Sequence, residues 1–421
     1  MAIESDVLVI GGGLAGMMSA LTAAEEGVSV RLISYKQSTL RQASGLIDLL
    51  GYLPDDPTPV VSPYEAMGAL PAEHPYTILG VDRVRAAMDR FDAAVGYDGG
   101  GAELNTLIAT HAGGFKPTFR TPHSVTAGAL ADGGAMLLVG FDPITDFDAP
   151  FAAAMLSEAG VPFEVRGETL PFPVDQASDA GISRFAALIE EDPAVPTTGR
   201  SLRETITAEI GAIMGDAERV GLPAILGTKE SAAIIAEFEA ALGVPVFEVP
   251  MGPPSLLGSR LEAELHGALD AAGVSMELGN PVVDADADDH ISAVYVEKTH
   301  AQIPYAAEEY ILATGGLVGK GVGSDRTQVY EPVFGCHVPQ PHDRSEWYDD
   351  EVFGAHPFPR FGVQVGADLR PQTSSGAVEY QNLRAAGSVI GGADFAKEKS
   401  GSGISIATGV AAGTAAAEEA A

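Results

Sequence analysis

Cysteine is almost absent: Cys336 is the one thiol in 421 residues. A lone cysteine excludes a disulfide framework and a thiolate-ligated iron–sulfur cluster on this chain, and it suits a reducing, cytoplasmic setting. Lysine is scarce as well, with seven among 24 basic residues. No apolar run approaches the roughly 20 residues that span a membrane. The chain opens on a strand pattern, not a signal peptide, so work at a membrane would need something else to hold the protein there. The nine histidines show no H-x-x-x-H or clustered spacing, which predicts no metal site. Tryptophan occurs once, and Trp347 with Tyr348 reads equally as a cover over a ligand or a packed lid.

What is abundant is acid. Against those 24 bases stand 58 Asp and Glu, for a net charge of −34. The acids run along the whole chain, as in Asp284-Ala-Asp-Ala-Asp-Asp289, where a docking face for one partner would cluster them. Such a balance argues against nucleic-acid binding. It resembles proteins adapted to high salt, in which a hydrated carboxylate surface keeps the molecule soluble while salt screens its self-repulsion. Apolar content of 46% and 50 glycines suit a loop-rich α/β enzyme with one large or two ordinary cores.

The most informative stretch is the first. Asp6-Val-Leu-Val-Ile10 reads as a buried parallel strand and runs straight into Gly11-Gly-Gly-Leu-Ala-Gly16. In the G-x-G-x-x-G spacing Gly11 permits the turn, Gly13 lets a pyrophosphate approach the backbone, and Gly16 lets the helix pack closely on its strand. The helix from Leu14 to Glu26 places Leu14, Met17, Met18 and Leu21 on one face and stops at Gly27, a good C-terminal cap. Its N-terminus is suited to a phosphate. Val28 to Ile33 completes a βαβ unit. The acid expected next, to hold a ribose 2′-OH, is Ser34, followed by Tyr35 and Lys36. That weakens NAD and leaves the adenosine of FAD without its usual partner.

Ser44-Gly45 either brings small residues beside a flavin ring or caps a helix starting there. Helices are expected at 81–95, 150–159, 201–214, 231–242 and 260–273, and strands at 135–140, 161–165, 223–227 and 244–249. Residues 116–249 therefore read as an inserted α/β domain between 1–115 and 250–421. Strands at 274–278 and 293–297 flank the acidic hairpin. Glu309 to Leu312 runs into Ala313-Thr-Gly-Gly316, and Asn382 to Ala386 runs into Gly387-Ser388, with Gly391-Gly392 just beyond. Ser400-Gly-Ser-Gly-Ile404 opens an Ala-rich helix, where Gly401 and Gly403 allow close approach and Ile404 follows.

Glycine-punctuated strand ends at both termini require the two ends of the chain to fold together. The arrangement resembles flavoproteins with a discontinuous, glutathione-reductase-type Rossmann-like domain split by an insertion. Gly11, Gly13, Leu14, Ala15, Gly16, Ser44, Gly45, Gly315, Gly316, Gly387, Ser388, Gly401, Gly403 and Ile404 are the residues it points to for the flavin. Ser388 departs from the pattern, since many members carry an acid after that glycine.

Finer stretches, among them Ser44-Gly-Leu-Ile-Asp-Leu-Leu50, His74-Pro-Tyr76, Gly258-Ser-Arg-Leu261, Arg344-Ser-Glu-Trp-Tyr348 and Gly387-Ser-Val-Ile-Gly-Gly392, are similar to the B subunit of anaerobic glycerol-3-phosphate dehydrogenase. The resemblance implies FMN, with FAD as the alternative, in one subunit of a three-part complex. It implies an A subunit with its own flavin and the dehydrogenase resemblance, and a C subunit that supplies iron–sulfur clusters and membrane attachment. It further implies oxidation of sn-glycerol 3-phosphate to dihydroxyacetone phosphate, with electrons passing to quinone. Hydride transfer from substrate C2 to flavin N5 on this chain, electron relay with chemistry on the A subunit, and a flavin-free assembly scaffold all stay open. Arg260, Arg326 and His337 are the candidates for charge stabilisation or proton transfer, and Lys116, Arg120 and His123 for an anion site; each also has an ordinary structural reading.

The diffuse acids generate one expectation. Melting temperature should fall between molar and millimolar salt as screening is lost; an unchanged value would point instead to a localised acidic docking face.

Overall fold

In the computed structural model, which describes residues 2–99, 102–174, 180–352 and 354–421, Val7, Leu8 and Val9 are fully buried. That unbroken apolar run is what a parallel strand covered on both faces requires. Ile3–Ile10 pairs in parallel with Val30–Ser34 on one side and with Ala301–Leu312 on the other, in register from Val7↔Glu309 to Ile10↔Leu312. Ser275–Leu278 extends the sheet beyond Val30–Ser34, again in parallel. The long strand Ala301–Leu312 does two things along its length. Its first half pairs antiparallel with Ile291–Lys298, and its last residues pair in parallel with Leu383–Ala385. The result is one seven-stranded mixed sheet.

The chain divides into two units. The first takes residues 1–39, 48–95 and 262–421; the second takes 40–47 and 96–261. Sequence reasoning placed the insertion at 116–249, whereas the second unit begins at Gly96 and also claims the short segment Leu40–Ile47.

In the first unit, helix Leu14–Glu25 packs against the last helix, Gly401–Ala420, through small residues. A Cβ on Gly409 would lie 2.6 Å from the Ala15 carbonyl oxygen, and one on Gly413 would lie 2.4 Å from that of Ser19. The four-residue spacing on each helix keeps these contacts on one face. Helix Val81–Ala94 sends Arg90 to the C-terminal end of Leu14–Glu25, where it meets Glu25, Glu26 and the Thr22 carbonyl. At the far end of the last helix, buried Arg384 joins Glu309 and Glu419, and Arg370 joins Glu419 and Asp368.

The second unit has its own sheet, all parallel, in the order Val246–Val249, Arg219–Pro223, Met136–Phe141, Val165–Leu170. Helices Ala149–Glu158, Leu202–Ile213 and Ser231–Leu242 fall close to expectation because their ends are encoded locally. Asp148 caps the first of them through the Phe151 N–H. Ser201 and Glu204 form a reciprocal capping box on the second. Two strands differ from expectation. The strand expected at 161–165 forms at Val165–Leu170, and the one expected at 223–227 forms at Arg219–Pro223. Pro162 lacks a ladder donor. Arg219 opens the second strand although it is buried, because its guanidinium reaches the Ala127 and Ala129 carbonyls at 3.2 and 2.6 Å. The acids 284–286 also sit within a strand, Val282–Ala287, paired antiparallel to Ile291–Lys298.

Replacing Gly413 by Leu should lower stability by about 1–3 kcal/mol through overpacking, read as a lower melting temperature, because backbone and not a flexible side chain stands in the way.

Candidate functional site

Parallel strands end at one edge of their sheet, and ligands of open α/β sheets bind outside those carboxyl ends. In the first unit that edge carries the turns after Ile10, Ser34, Leu312 and Ala385. Gly11 has a φ of +124°, and a Cβ there would stand 2.1 Å from the Ala313 carbonyl oxygen; one on Gly16 would stand 1.8 Å from that of Gly11. Both positions are closed to any side chain. Gly13 is the reverse: a Cβ would meet nothing within 4 Å, and its φ of −82° is ordinary. Gly13 is also the N-cap of helix Leu14–Glu25 and carries no side-chain cap hydrogen bond. Leu14 and Ala15, in the first turn, are buried. The three glycines thus build a helix N-terminus with open space in front of it, the feature that suits a phosphate.

The facing loops are close. The Gly316 N–H donates to Ser388 Oγ at 2.9 Å, and a Cβ on Gly316 would stand 2.7 Å from the Ser388 carbonyl oxygen. Gly315 and Gly387 have φ of +88° and +77°. The Gly387 N–H donates to Thr408 Oγ1 at 2.7 Å, and a Cβ there would lie 2.7 Å from Ala15 Cβ. Ser388, a departure from the flavoprotein pattern, therefore ties two strand-end loops together. Thr314 Oγ1 is buried without a hydrogen-bond partner in the same turn. Open space at a helix pole and an orphaned hydroxyl at the sheet edge fit a phosphate-bearing cofactor.

Ser34 is buried, and its hydroxyl donates to the Lys36 carbonyl at 3.0 Å. The end of the second strand offers a ribose no carboxylate. At the last helix, a Cβ on Gly401 would make an ordinary contact with Phe395 at 3.5 Å, and Ile404 is buried. Gly403 is hemmed in by its own chain: a Cβ would lie 2.3 Å from the Tyr76 hydroxyl, and its N–H donates to the Asp48 carbonyl at 2.9 Å.

A buried pair that sequence reasoning missed stands beside this helix start. His74 Nε2 lies 3.1 Å from Glu398 Oε2, and the two side chains are 0% and 1% exposed. The Tyr76 N–H donates to His74 Nδ1 at 3.1 Å. Glu398 also accepts from the Asp394 N–H at 2.9 Å and from the Ser400 hydroxyl at 3.1 Å. Burial pushes the Glu398 carboxyl up, but the hydrogen bond from His74 and these further donors outweigh it and hold it below the ordinary range. The sole sequence signal was the His74-Pro-Tyr76 motif; the partner lies 324 residues away.

Ser44 and Gly45 belong to the second unit. No helix starts at Ser44, because Ile47 bridges to Arg120 instead. Ser44 Oγ accepts from Lys116 Nζ at 2.8 Å, and a Cβ on Gly45 would lie 2.5 Å from Leu257 Cβ. Lys116, Arg120 and His123 do not converge on an anion site. Lys116 is at Ser44, Arg120 is buried against the Ala102 and Phe119 carbonyls, and His123 is exposed beside Asp98. Arg260 is also committed. Its guanidinium grips buried Glu248 with two bonds, at 2.5 and 3.0 Å, and donates to the Gly227 carbonyl. In the first unit, Arg326 is exposed in a turn organised by Asp325, and His337 is half-buried with its backbone N–H on Glu379. Burial, with Glu331 and Glu379 nearby, pushes the Cys336 thiol far up, so it stays protonated and unreactive. Trp347 packs edge-on against Phe361 and donates to the Pro341 carbonyl.

A family model described as an FAD binding domain matches residues 6–404. The chain is 55% identical to the B subunit of a probable anaerobic glycerol-3-phosphate dehydrogenase from Halobacterium salinarum, over 99% of both chains. It is 30% identical to the B subunit of the anaerobic glycerol-3-phosphate dehydrogenase of Yersinia enterocolitica, over 96% of both chains. For the counterpart in Pectobacterium atrosepticum the figure is again 30%, over 95% of this chain and 96% of that one.

The contrast between glycines is testable. Gly13→Leu should abolish flavin binding while leaving the melting temperature of the flavin-free protein nearly unchanged; Gly16→Leu should prevent folding. Retained flavin in Gly13→Leu would show that the open helix pole is not where the phosphate sits.

Proposed function

From a chain that belongs to the B-subunit family of anaerobic glycerol-3-phosphate dehydrogenase and carries an FAD-type flavin domain, we propose a subunit that joins in oxidising sn-glycerol 3-phosphate to dihydroxyacetone phosphate as an electron relay. The observation that carries this is a phosphate-ready helix pole at Gly13 with no base and anion site assembled beside it among the described residues. The three candidates from sequence do not supply one: Arg260 is spent on Glu248, Arg326 is solvent-facing, and His337 is held only through its backbone.

A bound flavin supplies two-electron acceptance and stepwise onward release. Around it the chain's own groups bind and orient. The free N–H groups and dipole at Gly13 to Gly16 hold the phosphate, while Gly315, Gly316 and Gly387 keep side chains out of the sheet edge. The Ser388–Gly316 bond fixes the two loops on either side. The match to an FAD binding domain supports FAD, although Ser34 in place of an acid leaves an adenosine ribose without its usual carboxylate acceptor. FMN is the other outcome, distinguished by the mass of the flavin released on denaturation.

Partners follow from what the chain does not carry. One cysteine holds no iron–sulfur cluster, and no helix among the described residues is long and apolar enough to cross a membrane. Electrons therefore pass to clusters on a C subunit that also attaches the complex to the inner face of the cell membrane, and substrate is oxidised on an A subunit.

Anaerobic addition of glycerol 3-phosphate to the isolated, flavin-loaded chain should leave the flavin spectrum oxidised, and addition of the A subunit should then bleach it. Bleaching of the lone chain would place substrate oxidation here and direct replacement to His337 and Arg326.

A further inference from the structure

The helix Gly401–Ala420 starts at the Ser400 N-cap, and Ser400 lends no side-chain cap to its own helix. Its hydroxyl is turned instead to Glu398 Oε2, 3.1 Å away. A buried carboxylate thus stands within one hydrogen bond of the positive pole of a 20-residue helix. The charge on the pair is fixed by geometry. His74 Nδ1 accepts from the Tyr76 N–H, so the ring proton is on Nε2, where it is donated to Glu398. A neutral imidazole and a carboxylate leave one uncompensated negative charge. No lysine or arginine pairs with Glu398 among the described residues, and neighbouring Lys397 reaches the Gly354 carbonyl. The other polar neighbours, Tyr76, Asp394 and Asp48, add no positive charge. With both side chains excluded from water, neither solvent nor salt screens the carboxylate well.

The segment is held tightly enough for that charge to have a fixed place. The Tyr76 hydroxyl lies 2.5 Å from the Leu49 carbonyl oxygen and 3.2 Å from that of Ser400. The Gly51 and Tyr52 N–H groups both donate to the Glu398 carbonyl. A Cβ on Gly392 would lie 2.2 Å from the Glu73 carbonyl oxygen, which pins the chain just before His74.

We propose that Glu398, positioned by His74, partly neutralises the positive pole of the last helix and thereby keeps the reduction potential of the bound flavin lower than the bare pole would set it. The inference rests on the reading of this chain as a flavin subunit with the flavin at the sheet edge, where the Gly387 loop meets the last helix at Thr408. Reduction places added negative charge on the flavin. A helix N-terminus favours that charge, and a fixed carboxylate at the same pole opposes it. Glu398 and His74 are positioning residues, and neither touches the reacting atoms.

The test is the midpoint potential of the flavin in the full-length chain, measured by dye-equilibrated reduction together with flavin stoichiometry. Glu398→Gln removes the charge and keeps the size and an acceptor for His74. It should retain flavin and shift the reduced-to-oxidised ratio at a given potential at least tenfold toward reduced, about 30 mV more positive for a two-electron couple. Glu398→Asp, which keeps the charge, should stay near wild type. Flavin retained in Glu398→Gln with an unmoved or lower potential overturns the inference and leaves the flavin subunit standing. Wild-type protein that takes up no flavin overturns both. Should Glu398→Gln fail to fold, Ser400→Ala decides: stripped of one donor, the carboxylate should lower the potential, and an unchanged or higher value overturns the inference.

Discussion

Two carbonyl oxygens organise the first unit. That of Ala313 occupies the space a side chain at Gly11 would need, and that of Gly11 occupies the space of a side chain at Gly16. The first strand, the first helix and the strand Ala301–Leu312 can therefore come together only with bare backbone at both positions. Everything at the sheet edge follows from that approach. The helix start at Gly13 is set against open space, Thr314 is carried into the turn, and the Leu383–Ala385 strand aligns so that Gly387 and Ser388 reach Ala15 and Gly316.

Positive charge is used sparingly and, at several arginines, internally. In a chain with 24 bases, Arg120, Arg219, Arg260 and Arg384 are all drawn inward, to carbonyls in the first two cases and to carboxylates in the others. Removing one partner of such a buried pair leaves the other charge unpaired and costs about 3–5 kcal/mol. These arginines therefore brace the structure, which is why they make poor candidates for gripping a phosphate. The acids, by contrast, lie largely outside, in stretches such as the exposed positions of Val282–Ala287.

Local chemistry was legible in the sequence, and distant pairing was not. The G-x-G-x-x-G spacing gave Gly11 and Gly16 the roles their surroundings impose, because turn, cap and helix entry all lie within a few residues. Helices with a capping box or an N-cap aspartate came out within a residue or two. The strand at 219–223 was misplaced onto 223–227, because an arginine opening a buried strand is intelligible only once the Ala127 and Ala129 carbonyls are seen to meet it. Ser388 departs from the flavoprotein pattern, and its bond to Gly316 shows only in the fold. The pairing of His74 with Glu398 was hidden, since the His74-Pro-Tyr76 motif does not announce a bond across 324 residues.

The pairing of the first strand with Ala301–Leu312, and the seating of the first helix on residues 401–420, also govern how the chain can be made. A nascent polypeptide emerging at about 5–20 residues per second would expose Val7 to Ile10 for roughly 15–60 seconds before their central partner strand exists. The last helix comes later still. During that interval the second unit, whose parallel sheet lies between Met136 and Val249, has every partner it needs and can close first. The flavin domain is completed after it, once residues 401–420 have been made.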